Sequence, residues 1–142
     1  MFMYLHKNKK GFTLIELMVV VAIIGVLALL GLRVYSGQQE KAKNAIVKAN
    51  AGTIQTLIQA ELADKTVSEV ETDVNTSGTG LIARAGIHNP YTGIQQTANG
   101  TAGSSGNAGD VYVTLSDATV FLINGNDANK APVYDTPLTA RR

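Results

Sequence analysis

The sequence predicts an α+β fold in which one long N-terminal helix, apolar in its first half and amphipathic in its second, packs against a small antiparallel sheet. Three observations predict it. From Phe12 to Leu32 only Thr13 and Glu16 are polar. From Ala42 to Leu62 apolar residues recur at helical spacing. Near the C-terminus, Val111 to Leu115 alternates and Thr119 to Ile123 forms a short β-branched and aromatic run, the marks of two strands.

A chain of 142 residues has the length of one domain. Setting aside the first 32 leaves Arg33 to Arg142 for a modest core, and with no cysteine that core has no disulfide staple. The formal charge of +1 hides an asymmetry. Lys7, Lys9 and Lys10 stand in the first eleven residues without an acid, so the remainder is slightly acidic. Nothing in that balance outlines a nucleic-acid site.

Residues 1–11 are a short basic leader ending in glycine. A basic segment before an apolar run stays on the cytoplasmic side of a membrane. The run over 12–32 would make a helix of about 30 Å, the thickness of a bilayer's hydrocarbon core. A signal peptidase would want a small-residue site after it, and Ala28-Leu29-Leu30-Gly31 is a poor match. The anomaly is Glu16, because an ionised side chain near a bilayer centre costs about 3 kcal/mol or more. Thr13-x-x-Glu16 reads first as a capping box, with hydroxyl and carboxylate satisfying orphan N–H groups at a helix start.

From 33 to 63 the helix continues with a stripe of Ala42, Ala45, Ile46, Ala49, Ile54, Leu57, Ile58 and Leu62, while charged and amide residues lie mostly off it. Residues 64–142 make a globular head. Within it, 64–109 is a loop region holding two candidate short helices, one around Val67, Val70 and Val74 and one over Leu81–Ala85 closed by Gly86. Asn89-Pro90-Tyr91-Thr92-Gly93 is a turn signature. Residues 95–109 carry no large apolar side chain and are expected as a mobile surface loop. Two N-x-S/T triplets, at Asn75 and Asn99, read as chance matches. Antiparallel strands are expected over 110–136, with a third strand starting at Val133-Tyr134 before Pro137.

The stretch Gly11-Phe12-Thr13-Leu14-Ile15-Glu16-Leu17 resembles the processing signal of type IV prepilins and the related pseudopilins, and the match runs from Lys10 to Gly25. The resemblance implies a pilin-like fold and a set of roles. A membrane-embedded prepilin peptidase and methyltransferase would cut between Gly11 and Phe12 and methylate the new N-terminus at Phe12. A glycine at the cut lets the protease approach the backbone closely. Glu16 would act as an assembly charge, pairing with the free amine of a neighbouring subunit. The partners implied are further copies in a helical filament, the peptidase, a pilus assembly platform and, before assembly, the inner membrane. The precursor would cross the membrane once with its N-terminus cytoplasmic, and the product would be an extracellular pilus at the cell surface.

The implied function is that of a major pilin, a structural subunit and not an enzyme, in a filament for adhesion, twitching motility or DNA uptake. The alternative is the major pseudopilin of a type II secretion system; the Gly/Ser/Thr/Asn-rich segment favours the pilin. Two departures from such relatives stand out. Arg33 occupies the place where they commonly carry a proline, so continuity of the helix past Gly25 and Gly31 is expected. The C-terminal disulfide of many pilins has no counterpart. His6 and His88 are far apart and, without cysteine, build no usual zinc site. No nucleophile motif, phosphate-cradling loop or acid pair appears, and no cofactor is implied apart from calcium. Asn124-Gly125-Asn126-Asp127 with Asp110 or Asp117 offers oxygen ligands to calcium, which pseudopilins bind near the C-terminus. It lacks the rhythm of an EF-hand loop and reads better as a turn.

Overall fold

The computed structural model describes residues 11–142; the basic leader, apart from Gly11, lies outside the described residues. The first helix, α1, runs Leu14–Asp64 and is helical without interruption through Gly25 and Gly31. The chain divides into two units, one ending at Gln38 and the other spanning Gln39–Arg142.

In the first unit every large apolar side chain from Phe12 to Tyr35 is at least 47% exposed, on all sides of the helix. A helix apolar all round needs lipid or other helices about it, and this one is long and apolar enough to cross a membrane.

The second unit holds the core. Its part of α1 buries Val47, Ala51, Ile54, Ile58 and Leu62, at spacings of three and four. The expected stripe is right from Ile54 onward and out of phase before it. Ala42, Ala45, Ile46 and Ala49 are exposed, and Val47 and Ala51 face inward instead. The phase is set from the sheet: at Gly125 a side chain would collide with Val47 Cγ1, so glycine there admits Val47 to the core.

The two short helices of the 64–109 region are present as α2, Val67–Asn75, and α3, Leu81–Arg84. Thr66 and Glu69 form a complete capping box at the start of α2, which buries Val70 and Val74. Leu81 and Ile82 add to the same cluster. The Asn89–Gly93 turn forms as expected. Asn89 Oδ1 accepts from the N–H groups of Tyr91 and Thr92, and Gly93, at φ +73°, closes the turn by donating to Asn89 C=O at 2.8 Å.

Three strands, β1 (Val111–Asp117), β2 (Val120–Gly125) and β3 (Leu138–Arg141), pair antiparallel in the order β1-β2-β3. Val113 lies opposite Ile123, which lies opposite Leu138, with a register irregularity between Leu115 and Asp117. Val111, Val113, Phe121, Ile123 and Ala140 supply the sheet's share of the core.

Two expectations about the head are corrected. The third strand lies after Pro137, not at Val133-Tyr134 within 110–136. The backbone of Tyr134 is held by the Asn124 side chain, whose Oδ1 accepts from its N–H at 3.1 Å and whose Nδ2 donates to its C=O at 2.8 Å. Val133 N–H donates to Gly125 C=O, so the segment passes the end of β2 rather than pairing along it. The 95–109 segment is tied to the sheet, not a loose surface loop. Gln96 is buried, and buried Asn126 donates from Nδ2 to the carbonyls of Thr101 and Asn107. Polar residues reach the interior here because amides carry their own donors and acceptors.

Candidate functional site

Gly11, Phe12 and Thr13 precede α1 in non-helical, exposed backbone. Open space lies where a side chain would begin on Gly11, and Phe12 is 86% exposed. The Gly11–Phe12 bond therefore lies in backbone that precedes the helix.

The helix begins with a reciprocal cap. Glu16 N–H donates to Thr13 Oγ1 at 3.3 Å, while Thr13 N–H and Thr13 Oγ1 each donate to Glu16 Oε2 at 2.8 Å. Leu17 N–H to Thr13 C=O closes the first turn at 3.3 Å. The capping reading of these residues is thus the geometry found within the chain. Around it the surface is hydrocarbon: Glu16 shares a shallow depression with Phe12, Ile15, Val19 and Val20. Among the described residues no cation forms an ion pair with Glu16. A carboxylate held by one threonine on an apolar surface can accept a cationic donor from outside the chain, and burial without one would be costly.

Gly11, Phe12 and Glu16 are therefore neighbours at one end of α1; the oxygen ligands considered for calcium belong to the second unit. There, Asp110 accepts from Asn89 Nδ2 and Asn107 Nδ2, and Asp127 Oδ1 accepts from the N–H groups of Asn129 and Ala131. Asn124 and Gly125 belong to β2 rather than to a turn. No group of three or more His, Cys, Asp or Glu placed to hold a metal occurs among the described residues. The two N-x-S/T asparagines meet, with Asn99 Nδ2 donating to Asn75 Oδ1 at 3.0 Å.

Sequence reasoning named Asn89 only within a turn and Asn124 and Asn126 only as turn or calcium-ligand residues, and foresaw the burial of none of them nor of Gln96. Their signal was an excess of Asn and Gln beside turns and strand ends, a pattern that composition alone also assigns to loops.

Residues 6–32 match the family model of the prokaryotic N-terminal methylation motif. Over 136 residues the chain is 32% identical to a type IV major alpha-pilin of Moraxella bovis, covering 94% of this chain and 79% of that one. It is 33% identical over 129 residues to fimbrial protein Q of Moraxella bovis, covering 86% and 73%. A probable minor fimbrial protein of Dichelobacter nodosus is 37% identical over 103 residues, or 66% of this chain and 64% of that one. No solved structure matches the chain.

Proposed function

Because this chain belongs to the type IV pilin family, we propose that it is the major subunit of a type IV pilus, a structural role and not an enzymatic one. The observation that supports this most strongly is that the likeness to a major pilin covers 94% of the chain and so extends through the head, well beyond the N-terminal motif.

The precursor is anchored by the apolar half of α1, with the lysines at 7, 9 and 10 holding its N-terminus in the cytoplasm. Prepilin peptidase hydrolyses the Gly11–Phe12 amide, leaving a carboxylate on Gly11 and a free amine on Phe12. Methylation of that amine preserves its positive charge. In the filament, exposed apolar faces of α1 from many copies bury one another, and Glu16 of an arriving subunit meets the amine of a subunit already in place. An unpaired charge in that bundle costs several kcal/mol. The pairing therefore favours the axial position at which carboxylate and amine coincide. Such a filament would serve adhesion, twitching motility or DNA uptake.

Mass spectrometry of the N-terminal peptide from sheared surface filaments tests the reading. The expected peptide begins with N-methylated Phe12. An intact Met1, or a cut near Gly31, would overturn it.

A further inference from the structure

We infer that the free edge of β1 is closed by two side-chain amides acting as a false strand, and that this closure stops the heads of separate copies from joining edge to edge. In a sheet ordered β1-β2-β3 the outer strands are β1 and β3. An open edge presents a row of N–H and C=O groups that templates an added strand.

At β1 the groups of Val111 and Val113 in that row are occupied, and the backbone N–H of Gly100 adds a bond to Val111 C=O at 3.0 Å. Val111 N–H donates to Gln96 Oε1 at 2.9 Å, and Gln96 Nε2 donates back to Val111 C=O at 2.6 Å. Two residues on, Val113 N–H donates to Asn99 Oδ1 at 2.8 Å, and Asn99 Nδ2 donates back to Val113 C=O at 2.9 Å. A primary amide carries the same donor and acceptor as a peptide group, so each bracket supplies what a neighbouring strand would supply. Residues i and i+2 of a strand turn their backbone groups to the same side about 6.7 Å apart. The brackets fall on that repeat. Gln96 is 9% exposed, which keeps water from competing for its bonds.

The other edge is closed by a different route with the same chemistry. Gln55 Nε2 donates to Thr139 C=O at 2.8 Å, and Gln59 Nε2 donates to Arg141 C=O at 3.0 Å. Arg141 N–H donates to Gln59 Oε1 at 3.3 Å. Four residues of helix rise about 6 Å, close to the two-residue repeat of a strand, so Gln55 and Gln59 reach alternate residues of β3.

What the β1 brackets protect is a run that needs protection. Val111-Tyr112-Val113-Thr114-Leu115 is β-branched and aromatic, uncharged and free of proline, the composition of a strand-templating segment. It carries no edge lysine or proline to discourage pairing. At its far end the register irregularity between Leu115 and Asp117 interrupts the ladder. At its near end Gln96 and Asn99 hold both groups of Val111 and Val113, with Gly100 N–H as a second donor to Val111 C=O. The excluded occupant is an extended strand of the same kind from a second copy. Crowding of copies in one filament, which rests on the function proposed above, makes the closure matter; the closure itself does not depend on it.

The test uses the purified full chain in detergent, where filament assembly plays no part. Gln96→Leu/Asn99→Leu is compared with Ile58→Val, a core change that destabilises without opening an edge. In the double variant, hydrogen exchange at the Val111 and Val113 amides should accelerate about tenfold or more while β2 amides remain protected, and amyloid-dye-positive oligomers should form about tenfold faster than in Ile58→Val. Unchanged exchange at Val111 and Val113, or oligomers at the comparator's rate, would overturn the inference. Should the double variant not fold, Asn99→Ala alone opens Val113. A synthetic Val111–Asp117 peptide should then bind the Asn99→Ala chain and not the wild type, and equal binding to both would count against the closure.

Discussion

Glu16 is asked to do two things, and they can be separated at the level of one residue. As a cap it needs an acceptor at the third helical position, which glutamine also supplies. As an assembly charge it needs to be an anion. Glu16→Gln should therefore keep the Thr13 bonds and α1's first turn, and Glu16→Ala should lose the two bonds that Thr13 donates to Glu16 Oε2. Both variants should be cut at Gly11–Phe12, because neither touches the scissile bond, and both should fail to assemble. Processing is read from the mass of the membrane-held subunit and assembly from the yield of sheared filaments. Wild-type filament yield from Glu16→Gln would reduce Glu16 to a cap. This constellation was legible in the sequence because a capping box depends on a spacing of three along the chain and on nothing brought from afar. The Gln96 and Asn99 brackets were not, since their partners lie 15 and 14 residues away.

At the scale of elements, an ion cluster holds α1, α2 and α3 together. Arg84 donates to both Asp73 carboxylate oxygens, at 3.2 and 2.7 Å, and to Glu61 Oε1 at 2.9 Å. Lys65 pairs with Glu61 and lies 3.6 Å from Asp73. The Arg84 side chain is 48% exposed, so water screens each pair, and Arg84→Met should cost about 1 kcal/mol in a melting experiment. The pH dependence has a definite sign. Arg84's hydrogen bonds hold the Asp73 carboxyl below its ordinary range, and the Thr66 cap does the same for Glu69. Groups with a lowered folded pKa stabilise fully above the ordinary carboxylate range and lose that contribution as pH falls through the folded value. The melting temperature should thus hold down to about pH 5 and fall below about pH 4. Asp73→Asn should flatten part of that fall, and an unchanged acid limb would show that Asp73 contributes none of it. Elements recorded in local periodicity were readable: α1, the short α2 and the β1–β2 hairpin. The position of β3 was not, because Asn124 captures Tyr134 and moves the third strand past Pro137. Nor was the phase of α1's buried face before Ile54, which depends on Gly125 leaving room for Val47.

For the molecule as a whole, the division at Gln38 separates two kinds of stability. Every buried core residue lies between Val47 and Ala140, while the apolar surface of residues 12–35 is exposed among the described residues. Folding of the head should therefore not require the anchor, and insolubility of the chain should arise from the anchor alone. A chain shortened to Gln39–Arg142 is expected to be a soluble monomer with a cooperative melting transition. It should melt at the same temperature with and without dithiothreitol, since the sequence has no cysteine to reduce. Its cohesion comes instead from the aliphatic cluster and from buried amides that tie one loop to another, Asn89 and Asn126 among them. A buried amide cut from its partners leaves the other groups unsatisfied at about 1 to 3 kcal/mol. Asn89→Ala in the shortened chain releases the Tyr91 and Thr92 N–H groups, the Ala108 carbonyl and Asp110 together, and should cost about 2 to 3 kcal/mol of unfolding free energy by urea denaturation. A loss below about 0.5 kcal/mol would mean that water replaces those bonds freely, and that the aliphatic cluster alone holds the head.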